Sequence, residues 1–148
     1  LRRLPTSPRD ETVLMDILRV EHRDGEGAYR VPLFFKMLDE LDEAIIPSYV
    51  RGQGRTTALH PSPGGSGLYG IEEWEIFGFE SHTDLIKWFF VLKHLDAVNL
   101  DRFGFEIVTY YVEPDHVRLG DRQCVFKQEE AVEISRTNPV DYYWEVIS

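Results

Sequence analysis

Apolar and polar positions change period several times along the chain, and each change predicts an element. Over residues 13–22, Leu14, Ile17, Leu18 and Val20 sit on a β-favouring background and predict a strand. Asp24-Gly25-Glu26-Gly27 then breaks it, because glycine reaches backbone angles that other residues avoid. Pro32 suits a first helical position, and Phe34, Met37, Leu38 and Leu41 follow at helical spacing with acids opposite, so a helix ending by Pro47 is expected. Residues 51–70 hold little that buries a core. A loop near twenty residues is usually functional or disordered, which makes it the expected place for a mobile lid.

The second half is more regular. Residues 75–79 predict a short strand. Ser81 with Asp84 three residues on resembles a capping box, and Leu85, Trp88, Phe89, Leu92 and Leu95 continue the helix it opens. After Gly104, residues 105–111 alternate as a strand with both faces mostly covered, ended by Glu113-Pro114-Asp115. Residues 123–126 and 131–135 predict two short strands, and 141–147 a last one. The count is five to six short strands and two main helices. Short turns joining the late strands favour an α+β fold with a split mixed or antiparallel sheet over a doubly wound one.

Residues 1–12 are polar, carry two prolines and show no periodicity. They read as a flexible N-terminal segment (a tag remnant, an extended start or a trimmed end), with Met15 as a candidate original start. Residues 13–148 read as one globular domain, in keeping with a length of 148. A hydrophobic fraction of 43% and an aromatic fraction of 13% argue against disorder. No apolar run reaches the roughly 18–20 residues of a membrane span, so a soluble cytoplasmic protein is expected.

Charge sharpens this picture. The chain holds 26 acidic residues against 16 Lys and Arg, a formal net charge of −10. Residues 1–30 are balanced, six against six, so the whole excess lies from Val31 onward. The acids bunch at residues 39–43, at Glu72-Glu73-Trp74-Glu75, and at Glu129-Glu130 with Glu133. Such bunching serves a solvated face, a cation or a basic partner, and it disfavours direct binding to a phosphate backbone.

Few side chains announce chemistry. His22, His60, His82, His94 and His116 lack the spacing of a zinc site, so no metal is expected. Cys124, the single Cys, lies in an apolar window and reads as an inert core thiol. Gly64-Gly65-Ser66-Gly67 lacks the lysine of a phosphate loop, and Ser81 is explained by its capping role.

Four stretches together resemble the ADP-ribosyltransferase-like fold. Residues Ile17-Leu18-Arg19-Val20-Glu21-His22 look like its first strand, and Gly25-Glu26-Gly27-Ala28 is similar to the glycine-rich turn of RES-type members. Phe77-Gly78-Phe79-Glu80-Ser81-His82-Thr83 resembles the strand and helix start that wall its cleft. Gln123-Cys124-Val125-Phe126-Lys127 with Ala131-Val132-Glu133-Ile134 is similar to its late strand pair. The resemblance implies NAD as cofactor in a central cleft, with Arg19 on pyrophosphate, His22 at the ribose, and Ser81 and Tyr69 as further contacts, Trp74 beside them. It also puts Gln123 at the catalytic position, where active members carry a glutamate that stabilises a cationic transition state. Neither Arg122 nor Gln123 is acidic. The compact, aromatic-rich chain also looks like a small bacteriophage-type protein.

Two functions follow from these readings. One is an NAD-dependent mono-ADP-ribosyltransferase using Arg19 and His22. The other is a non-catalytic acidic protein, a phage-type inhibitor, that docks on the basic surface of a host protein. Convergence of Arg19, His22 and Ser81 on one pocket would favour the first.

Overall fold

A computed structural model describes residues 2–7, 10–25 and 67–148. The expected helix from Pro32, the acids at 39–43 and most of the expected lid lie outside them. The described elements run β1 (Arg2–Ser7), β2 (Asp10–His22), β3 (Glu75–Gly78), α1 (His82–Phe89), α2 (His94–Arg102), β4 (Phe105–Val112), β5 (Val117–Leu119), β6 (Cys124–Lys127), β7 (Val132–Thr137) and α3 (Pro139–Tyr142), followed by a π-turn over Tyr143–Ile147. They form a four-stranded sheet in the order β1-β2-β4-β7 and a three-stranded sheet in the order β3-β6-β5. Every pairing is antiparallel. The class is therefore α+β.

Strand β2 organises both sheets. Residues 10–14 pair with β1 and residues 15–22 pair with β4, so its two halves serve different neighbours. Midway, Leu18 turns its N–H and C=O away from β4 and bonds Phe79 at 2.8 and 2.7 Å. This bridge brings the smaller sheet against the larger one. It demands a close approach at Gly78, where a Cβ would lie 2.7 Å from Ile17 Cγ2 and 2.9 Å from the Leu18 carbonyl oxygen.

Alternation along β2 and β4 then sorts the core into two layers. Ile17, Val108, Tyr110 and Val112 face the small sheet and pack with Cys124 and Phe126. Leu18, Val20, Phe105 and Ile107 face the other way and pack under Phe79, Leu85, Trp88, Phe89, Phe90, Leu100 and Tyr142. Helices therefore cover one face of the large sheet and the small sheet covers the other. Full burial of each such side chain favours folding by about 1.5–3 kcal/mol.

Three expectations are corrected. The polar stretch expected to be flexible contributes β1 and the start of β2. Backbone pairing needs no apolar periodicity, so periodicity does not reveal it. The single helix expected through Leu95 is two helices, since Lys93 takes φ +53° and Asp96 accepts the Leu92 amide at 2.7 Å to start α2. Last, the strand expected over 141–147 is helical. Asn138 caps the amides of Val140 and Asp141, Pro139 occupies the first turn, and Asn138 also hydrogen bonds Asp101 of α2. Aromatic residues with high strand propensity sit there because they pack on the helices.

Candidate functional site

Asp16 and Leu18 share a face of β2, and their partners Tyr111 and Thr109 on β4 share it too. The described helices leave an opening at this end of the sheet. The outcome is a cleft of about 510 Å³, floored by those four residues, closed on one side by Ile134 and Ser135 of β7, and walled by Glu80, Ser81 and His82. Ser81 Oγ accepts the Asp84 amide at 3.1 Å, so its lone pairs serve the helix start as well as the cleft. His82 Nδ1 lies 2.8 Å from the Tyr142 hydroxyl, which fixes the ring beneath α3. Burial pushes the Tyr142 hydroxyl well above the ordinary tyrosine range, so it stays protonated. Among the described residues the lining offers two carboxylates, four hydroxyls and one imidazole, and no Lys or Arg.

A second polar cluster lies on the opposite face of the same sheet. Glu21 is 1% exposed and receives Arg19 Nε at 2.9 Å and Arg136 Nη2 at 2.7 Å. The Tyr110 hydroxyl also donates to it. Arg136 reaches on to Glu106 at 3.2 Å and Glu133 at 2.9 Å. Burial, then the bond to Glu21, raises the Tyr110 hydroxyl far above its ordinary value. Burial opposes charge on Arg136, yet its bonds to Glu133 and Glu21 prevail and raise it. The cluster ties β2, β4 and β7 together, and its ligating groups already satisfy one another.

Matching against protein families finds the bacteriophage T4 Y00F protein over residues 15–140, a span that includes every cleft residue. The chain belongs to the bacteriophage T4 Y00F protein family. It is thus phage-type, as its appearance suggested. Neither the curated proteins nor the solved structures contain a match.

In this Y00F-family protein the residues assigned through the ADP-ribosyltransferase resemblance are spread apart. Arg19 is 8% exposed, held by Glu21 and by the Phe77 carbonyl at 2.7 Å. His22 stands on the other face of β2, edge-on to Phe105, with Nδ1 3.0 Å from Asp24. Gln123 is buried just before β6. Tyr69 is exposed, its carbonyl accepting Arg118 at 2.6 Å, and Trp74 is exposed as well. Of the assigned residues only Ser81 lines the cleft. Among the described residues no three His, Cys, Asp or Glu side chains gather as metal ligands. No described helix is long and apolar enough to cross a membrane.

Sequence reasoning missed the cleft floor. Asp16, Thr109 and Tyr111 come together only when β2 and β4 pair in this register. The one available signal was Asp16, a charge inside an apolar strand two residues from Leu18.

Cys124 is buried, as its apolar window suggested. Burial, reinforced by the nearby Glu80 charge, pushes its thiol up to about 12. The thiol therefore stays protonated at pH 8, where about one ordinary cysteine in four is ionised. Native protein should leave a thiol reagent such as DTNB unconsumed at pH 8, and unfolding in guanidinium should release one reactive thiol. Rapid reaction of the native protein would contradict this placement.

Proposed function

We propose that this protein is a non-catalytic acidic binding protein that docks on the basic surface of a partner protein, as a phage-type inhibitor of a host factor would. The cleft carries the reading: among the described residues Asp16 and Glu80 enter it and no Lys or Arg does. Hydroxyls from Ser81, Thr109, Tyr111 and Ser135 can accept from an ammonium or guanidinium, while Leu18 and Ile134 cover the aliphatic stem of a Lys or Arg. Glu80 is itself exposed, and Glu113 and Asp115 stand exposed just past the end of β4. A dinucleotide fits this lining poorly, since its pyrophosphate would meet two carboxylates and no compensating cation among the described residues.

Binding of a labelled oligolysine, read by fluorescence anisotropy at low and raised salt, tests the proposal. The Asp16→Asn/Glu80→Gln variant should bind at least about tenfold more weakly, a loss of about 1.4 kcal/mol, and wild-type binding should fall as salt rises. Unchanged affinity in that variant, or a melting temperature raised by NAD, would overturn it.

A further inference from the structure

We propose that the outer edge of β7 accepts an extended, basic segment of the partner as an added strand beside the cleft. This rests on the acidic-docking reading and names how the partner is held. β7 ends the four-stranded sheet, with β4 on one side and no described strand on the other. Its register sets Ser135 and Thr137 opposite Thr109 and Ile107. Because β4 turns alternate backbone groups to its two neighbours, the N–H and C=O of Arg136 face outward along the open edge. Val132 and Ile134, both β-branched and apolar, are 62% and 41% exposed there. An added strand would cover them, and its main chain would satisfy the open row of donors and acceptors.

Charge selects the occupant. Glu129 and Glu130 stand exposed in the turn that leads into β7, and Glu133 lies within it. A second copy of this chain paired in parallel would set those carboxylates against their own kind. The bulge at residues 133–135, where two steps along β7 oppose one along β4, further interrupts edge-to-edge pairing of identical chains. A lysine- or arginine-bearing strand instead meets opposite charge across the new pairing. Ile134 and Ser135 belong both to β7 and to the cleft lining, so one face of the added strand borders the acidic cleft.

The probe is a synthetic peptide of alternating lysine and valine, about six residues long to match a typical strand. It is compared on the full chain with a copy N-methylated at alternate amides. The unmodified peptide should bind, and N-methylation should weaken it at least about tenfold. A Val132→Lys/Ile134→Lys variant with unchanged melting temperature should show a similar loss. On binding, hydrogen exchange should slow at residues 132–137, at Arg136 above all. Equal binding of the N-methylated copy, or no added protection at β7, would overturn strand addition. Self-association that is lost in the Val132→Lys/Ile134→Lys variant would overturn the choice of occupant.

The two readings fail separately. If binding weakens in Asp16→Asn/Glu80→Gln but ignores N-methylation, cleft docking stands and strand addition falls. If it ignores that variant but needs the peptide amides, the reverse holds.

Discussion

Replacing Glu21 with Gln lowers the stability of this protein by about 3–5 kcal/mol, the range for breaking a buried ion pair on one side. Glu21 is the acceptor that Arg19, Arg136 and Tyr110 share. Glutamine keeps the shape and one acceptor oxygen but removes the charge. Arg136 retains Glu106 and Glu133, so its loss is partial. Arg19 is nearly buried, so water cannot readily replace the carboxylate charge it loses. Against a total stability of about 5–15 kcal/mol for a typical domain, this is a large fraction. Urea denaturation of the wild type and Glu21→Gln measures it directly. A difference below about 1 kcal/mol would show that the cluster is solvated in solution and does not lock the three strands.

Gly78→Ala is the second large effect, expected at about 1–3 kcal/mol and toward the upper end of the overpacking range. The added methyl would meet Ile17 Cγ2 at 2.7 Å, the Leu18 carbonyl oxygen at 2.9 Å and the Phe126 ring at 3.0 Å. Ile17 can shift a methyl, but the Leu18 carbonyl cannot give way freely. It accepts the Phe79 amide in the bridge that joins the two sheets. Phe126 is fully buried between those sheets, which leaves its ring little room. The loss should appear as a lower melting temperature in both far-UV and near-UV circular dichroism. By contrast, Gly70→Ala meets open space around its Cβ, so only its positive φ of +60° opposes the change. If the two variants melt alike, the close approach at Gly78 is not a constraint on the fold.

Both predictions concern contacts between segments far apart in the chain, and such contacts mark the limit of what the sequence reveals. Residues 105–111 were legible as a strand because alternation records burial on two faces, and β4 is buried in that pattern. Ser81 was legible as a cap because its bond to the Asp84 amide is three residues long. The final segment misled because Tyr142, Tyr143 and Trp144 favour strands in isolation, whereas Asn138, Pro139 and packing on α1 and α2 make it helical. Local propensity is a weak prior that tertiary packing overrides.

For the site the division is sharper. Composition and the placement of charge established an acidic chain whose excess lies beyond residue 30 and disfavoured a phosphate-backbone binder. The resemblance to the ADP-ribosyltransferase-like fold drew attention to Arg19, a cation in β2. Folding turned that residue toward Glu21 and the small sheet, and turned Asp16, three positions earlier, toward the cleft. An odd offset on a strand puts two side chains on opposite faces, but only the second sheet and the helices say which face is filled and which stays open. Charge is a sum over residues and can be read in one dimension. A cleft is a relation among β2, β4, β7 and the start of α1, and it exists only once strand pairing has set their register.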